Sequence, residues 1–145
     1  GWSVDRAAAL LDEAGTTSYA INAGGDIRLR GGALPARVWR IGIQHPRERE
    51  RVAAFVVSRD LAIATSGAYE RGEHVIDPQT GRPPTGVLSV TVTGPDLANA
   101  DAYATAAFAM GTRGAQWAAG LTGYEAMTIL ADGCVLLTPG FPTAD

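Results

Sequence analysis

The sequence contains no lysine; its twelve basic side chains are all arginine. They are scattered, and the one local concentration, Arg47, Arg49 and Arg51, is interrupted by Glu48 and Glu50. Nucleic-acid surfaces need clustered positive charge, and a chain of net charge −3 without such a cluster is not built as one. Missing lysine beside abundant Ala, Gly and Arg is read as genome composition rather than function. There is a single cysteine, Cys134, so no intramolecular disulfide can form and nothing here speaks for an oxidising compartment. Cys134 follows a turn inside an apolar run, which predicts a buried, inert thiol. No apolar run reaches the roughly 18–20 residues of a membrane span. The opening residues Gly1-Trp-Ser-Val-Asp-Arg6 carry neither a signal-peptide pattern nor an initiator methionine, so the chain is expected to be part of a longer one. A Gly-x-Gly-x-x-Gly fingerprint is lacking. So is a nucleophile elbow, because Ala64 stands where Gly-x-Ser-x-Gly requires glycine before Thr65-Ser66-Gly67.

What is present suits one domain. The 145 residues are 46% apolar and 19% charged, enough to bury a core without composition typical of disorder. Trp2 to Ala14 has helical spacing at Val4, Ala7/Ala8 and Leu11, with Gly15 as the stop. Ser18–Asn22 and Ile27–Leu29 read as strands flanking Ala23-Gly24-Gly25-Asp26. Val38–Gln44 alternates as a half-buried strand ended by His45-Pro46, where His45 is expected to be structural or exposed. Ala53–Val57 and Leu61–Ala64 suit a hairpin around Ser58-Arg59-Asp60. The Gly- and Pro-rich stretch 72–86 predicts a rigid irregular loop. Val87–Thr93 is a strand, and Asp96 can cap a helix running to Met110 and ended by Gly111. Ala115–Ala119 is a short helix. Met127–Leu130 and Val135–Thr138 form a hairpin whose Asp132-Gly133 predicts a type I′ turn. Meandering strands with few crossovers predict an α+β fold, an antiparallel sheet packed by helices.

Four stretches carry chemistry. Asp101 and Thr105 share one helix stripe with Leu97 and Phe108, so a carboxylate and a hydroxyl interrupt an apolar surface. Such a pair can offer two hard oxygens to a cation, or the carboxylate can pair with an arginine or meet water. His74 and Asp77 lie on the stiff loop, where they can orient a phosphate or move a proton, or simply form a turn. Gly24-Gly25-Asp26 permits close backbone approach to a ligand, or a bulged hairpin. Thr65-Ser66-Gly67-x-Tyr69 sets hydroxyls at a strand end.

In order along the chain, Asn22-Ala-Gly-Gly-Asp-Ile27, Trp39-Arg-Ile-Gly-Ile-Gln44-x-Pro46, Ala64-Thr-Ser-Gly-x-Tyr69, His74-Val-Ile-Asp-Pro-x-Thr-Gly-x-Pro83, Ser89-Val-Thr-Val92 and Ala100-Asp-Ala-x-Ala-Thr105 resemble the ApbE family of FAD:protein FMN transferases. The resemblance runs from Gly1-Trp2-x-x-Asp5 to Gly140-Phe141. It implies a T-fold-like, ApbE-like α+β architecture, here the C-terminal portion, about half, of a larger domain. It implies an enzyme that uses Mg2+, splits FAD to release AMP, and attaches FMN through a phosphoester to Thr or Ser of a target flavoprotein. By resemblance, Asp101 and Thr105 are metal ligands and His74, with Asp77 beside it, is catalytic. Gly24, Gly25, Asp26, Thr65, Ser66 and Gly67, again with His74, line the flavin pocket. The implied partners are FAD, the acceptor segment of the target, and the missing N-terminal half or a second chain, with no nucleic acid. The implied location is the outer face of a bacterial membrane. Many relatives carry a longer loop where this chain has only Arg71 to His74. The competing readings are an FAD-binding or FAD-hydrolysing module without transfer, because the N-terminal half is missing, and an interaction domain that keeps only the scaffold.

Overall fold

A computed structural model describes residues 1–68 and 74–144. Its elements are α1 (Trp2–Glu13), β1 (Tyr19–Ala23), β2 (Asp26–Arg30), β3 (Trp39–Gln44), β4 (Val52–Ser58), β5 (Leu61–Gly67), β6 (Val87–Gly94), α2 (Leu97–Ala109), a 3-10 turn at Gly111–Arg113, α3 (Gly114–Ala118), β7 (Glu125–Leu130), β8 (Val135–Leu137) and β9 (Thr143–Ala144). The larger sheet has the order β1-β2-β5-β6-β7-β8 and the smaller the order β3-β4-β9. All pairings between these strands are antiparallel, so the α+β expectation holds.

Three layers result. On one face of the large sheet, Val4 of α1 and Leu97, Ala100, Ala104, Ala107 and Phe108 of α2 bury against Ala62, Ala64, Val90 and Val92. On the other, Leu29, Ile63, Met127 and Ile129 bury against Ile43, Val56 and Phe141 of the small-sheet layer. The central strands are therefore covered twice, which is why β6 keeps even its hydroxyl positions Ser89, Thr91 and Thr93 buried. Helix α2 begins where two carboxylates satisfy its free N–H groups: Asp96 Oδ1 accepts from Asn99 N at 2.8 Å and Asp5 Oδ2 from Ala98 N at 2.8 Å.

Three local expectations change. Ala53–Val57 and Leu61–Ala64 are not a hairpin: β4 pairs with β3 and β9, while β5 pairs with β2 and β6. Arg59-Asp60 carries the chain from one sheet to the other. The Asp132-Gly133 turn is not type I′: its central positions are Ala131 and Asp132, neither at positive φ, and Gly133, at φ 90°, follows them. Gly133 N donates to Leu130 O at 2.9 Å, which gives a tight turn closed by a left-handed glycine. Cys134 is exposed rather than buried, since it lies beside the outer strand β8, whose Val135, Leu136 and Leu137 are also exposed. His45 takes the structural role expected of it: its Nδ1 accepts from Arg47 N and Glu48 N at 3.3 and 3.1 Å. Tyr69 and the stretch from Arg71 to Glu73 lie outside the described residues.

Leu97 is fully buried between α2 and the sheet, whereas Leu136 is 41% exposed. Leu97→Ala is expected to cost about 2–5 kcal/mol of unfolding free energy, and Leu136→Ala less than about 0.5 kcal/mol, measured by urea titration. Equal losses would contradict the layer assignment.

Candidate functional site

The β1–β2 hairpin turns at Gly24 and Gly25, both at positive φ (65° and 97°), as a two-residue turn demands. Asn22 Oδ1 fastens the turn by accepting from Gly25 N at 3.0 Å. Asp26 starts β2, and the β2/β5 register, with Ile27 opposite Ile63, sets that turn beside the end of β5. There Thr65 and Ser66 point to opposite faces, as successive strand residues must. Thr65 Oγ1 meets Thr91 Oγ1 at 2.9 Å within the sheet, and Ser66 Oγ meets Thr105 Oγ1 of α2 at 3.0 Å.

These elements enclose a polar cavity of about 210 Å³ lined by Ala23, Gly24, Asp26, Thr65, Ser66, Gly67, His74, Asp101 and Thr105. Two of the expected residues lie elsewhere. Gly25 lines a neighbouring cavity of about 450 Å³, which shares Gly24 and Thr65 with the first. Asp77 lines a third cavity, of about 540 Å³. The Asp77 carboxylate is buried and engaged, with Oδ1 accepting from Gln79 N at 2.9 Å and Oδ2 lying 3.6 Å from Arg113 Nη2.

Asp101 does not sit on the buried stripe of α2. That stripe is Leu97, Ala100, Ala104, Ala107 and Phe108, and the Asp101 side chain remains 43% exposed toward the cavity. Asp26 and Asp101 converge on one backbone nitrogen: Asp26 Oδ2 lies 2.7 Å and Asp101 Oδ2 2.8 Å from Gly1 N. The Asp26 pKa is raised; burial is the main cause, reinforced by Asp101. This corner holds more negative charge than its setting favours. Among the described residues no three His, Cys, Asp or Glu side chains form a metal-binding group. The donors Asp26, Asp101, Thr105 and Ser66 are hard oxygens, a set that fits a magnesium ion and not a soft one.

The 450 Å³ cavity opens between the two sheets and is lined by Ile27, Ile41, Ile43 and Ile63 with Gln44 at its edge. Sequence reasoning gave β3 no part in a site. The signal was present in the block Trp39-Arg-Ile-Gly-Ile-Gln44, which joined the family resemblance without a role.

The model of the ApbE family matches residues 1–128. The chain belongs to the ApbE family. It is 36% identical to the FAD:protein FMN transferase of Salmonella typhimurium over 92% of its own length and 41% of that protein. It is 40% identical to that of Vibrio cholerae over 77% of its length and 36% of that protein. Among solved structures it is similar to the ApbE protein of Thermotoga maritima (TM-score 0.87, 31% identity, 97% of this chain and 49% of that one). It is also similar to the flavin transferase ApbE of Vibrio cholerae (TM-score 0.83, 35% identity, 97% and 48%). This ApbE-family chain thus spans less than half the length of those relatives. No helix among its described residues is long and apolar enough to cross a membrane.

The raised pKa of Asp26 has a thermodynamic consequence. Just above the ordinary carboxylate value of 3.8, the folded chain holds a proton that the unfolded chain has released, so stability falls as pH rises through this window. Asp26→Asn removes that loss. The melting-temperature advantage of the variant over the parent, measured without divalent cations, is expected to grow as pH rises from about 4 and then level off. A difference independent of pH would contradict the electrostatic description of this corner.

Proposed function

We propose that this chain is the C-terminal portion of a magnesium-dependent FAD:protein FMN transferase. The enzyme would cleave FAD to AMP and attach FMN to a Thr or Ser of a target flavoprotein through a phosphoester. The observation that carries the reading is the polar cavity, where separate stretches of sequence bring Asp26, Thr65, Ser66, His74, Asp101 and Thr105 together beside an apolar slot. Relatives named FAD:protein FMN transferase support the same chemistry.

In this reading the isoleucine-lined slot between the sheets takes the flat ring system of the flavin, with Gln44 and Asn22 as polar contacts at its edge. The pyrophosphate lies over the Gly24-Gly25 turn, where no side chain blocks approach to the backbone. Asp101 and Thr105, with Asp26 facing them, would hold magnesium, which when bound would neutralise phosphate charge. The acceptor hydroxyl oxygen forms a bond to the phosphorus of the FMN half. The bond from that phosphorus to the bridging oxygen breaks, and AMP departs with that oxygen. The hydroxyl proton must leave and the departing AMP can take one up; His74, which lines the polar cavity, would serve one of these transfers. Ser66 holds the Thr105 hydroxyl in orientation through their 3.0 Å contact. Asp77 acts at one remove, fixing the turn that follows His74.

The test uses the full-length protein that contains this chain, with FAD, Mg2+ and a target peptide. AMP release should accompany FMN attachment. FAD binding or hydrolysis without attachment would favour the non-transferring module instead. Asp101→Ala is expected to abolish metal dependence while keeping the far-UV CD spectrum. Mg2+ should raise the melting temperature of the parent and leave that of the variant unmoved; unchanged activity in Asp101→Ala would sink the metal assignment. His74→Ala is expected to lower turnover by about 10²–10⁴-fold, the usual range for a lost proton-transfer group. A fall under tenfold in single-turnover rate would remove His74 from the chemistry.

A further inference from the structure

The loop that carries His74 has a second side. Beyond it lies the 540 Å³ groove, walled by Asp77, Arg82, Pro83 and Pro84 on one side and by Met110 and Arg113 on the other. We propose that this groove seats the acceptor segment of the target flavoprotein and selects an extended, acidic one. The proposal rests on the transferase reading above.

Position is the first argument. Thr105 lines the polar cavity and Met110 lines the groove, five residues apart near the end of α2. At about 1.5 Å and 100° per helical residue the two are separated by roughly 7.5 Å along the axis and about 140° around it. An extended chain covers the axial part in two or three residues and the whole path in about four. A segment lying in the groove can therefore deliver a hydroxyl to the cavity around the loop that separates them.

Charge is the second. The lining holds two guanidinium groups, Arg82 and Arg113, against one carboxylate, and that carboxylate, Asp77, is buried and engaged by Gln79 N and Arg113. The groove is net positive and attracts an acidic chain. Rigidity is the third. Asp77 N donates to Arg82 O at 2.9 Å, Gly81 N to Asp77 O at 2.8 Å, and Arg113 Nη1 to Gln79 Oε1 at 3.0 Å, while two prolines fix the backbone that follows. A wall held this way orders a bound segment without first ordering itself. Next to the groove, a hollow of about 300 Å³ between Met110, Gln116 and the 36%-exposed Trp117 offers room for one apolar side chain of that segment.

The test is steady-state kinetics of the full-length enzyme with FAD and Mg2+. It compares an acceptor peptide containing Asp and Glu beside the acceptor residue with the same peptide carrying Lys at those positions. Arg82 is exposed, so Arg82→Glu should fold, checked by its melting temperature, and Arg82→Gln provides a graded control. For Arg82→Glu, KM for the acidic peptide is expected to rise about tenfold, with kcat and the KM for FAD unchanged, and the Lys peptide should reverse the effect. An unchanged KM for the acidic peptide overturns the proposal. So does a rise in the KM for FAD, which would give the groove to the dinucleotide. If the parent enzyme releases no AMP and transfers no FMN, the transferase reading itself fails and the groove assignment falls with it.

Discussion

The close approach of helix α2 to the central sheet is the constraint on which the site depends. The inner face of α2 is largely alanine, with Ala100, Ala104 and Ala107 fully buried against β5 and β6. Small side chains let the helix axis lie near the strands, and Asp96 and Asp5 fix where its first turn begins. Once position and rotation are set, Asp101 and Thr105 have one place to go: over the end of β5, where Thr105 meets Ser66. Larger residues on the inner face would lift the helix and open the corner before any functional side chain changed.

The charge in that corner follows from the same packing. Asp26 arrives on the start of β2 and Asp101 on the helix. Each is acceptable in its own element, but together they form a pair that burial disfavours. The pair lines a cavity rather than the packed core, with the Asp101 side chain 43% exposed. The conflict between local electrostatics and fold is concentrated where chemistry is proposed, as expected when stability and function compete for the same residues.

Much of this was legible in the sequence. Asp96 as cap, the alternation of β6 and the break at Gly24-Gly25 announced themselves locally, because each reflects a backbone requirement within a few residues. Partnership was less legible. Period-two patterning identified β4 and β5 as strands but carried no information about which sheet each joins, so a crossing between layers looked like a hairpin. Cys134 was misplaced because an apolar run predicts burial only if another layer covers it, and the outer strand β8 is half open. On α2, Asp101 and Thr105 are indeed one turn apart, but the buried stripe runs through their neighbours Ala100 and Ala104, which composition makes hard to distinguish from other alanines. His74 and Asp77 are three residues apart on a loop, and a loop has no fixed period to say that they face different cavities.

The crossing at Arg59-Asp60 gives the two sheets a spine. Gly31 N donates to Asp60 Oδ1 at 3.0 Å and Trp39 Nε1 to Arg30 O at 2.9 Å, so the layers are stitched at that end. The isoleucine-lined slot lies farther along the same strands, toward Ile43 and Thr65. The polar corner takes its lining from the large sheet, α2 and the His74 loop, with nothing from β3 or β4. The layers are tied at the other end too, where the Arg47 guanidinium donates to Ala131 O, so the slot is held open between two fixed ends. The fold sets an apolar slot beside a polar corner, and the two meet at Gly24 and Thr65, so a change at either of those residues reaches both.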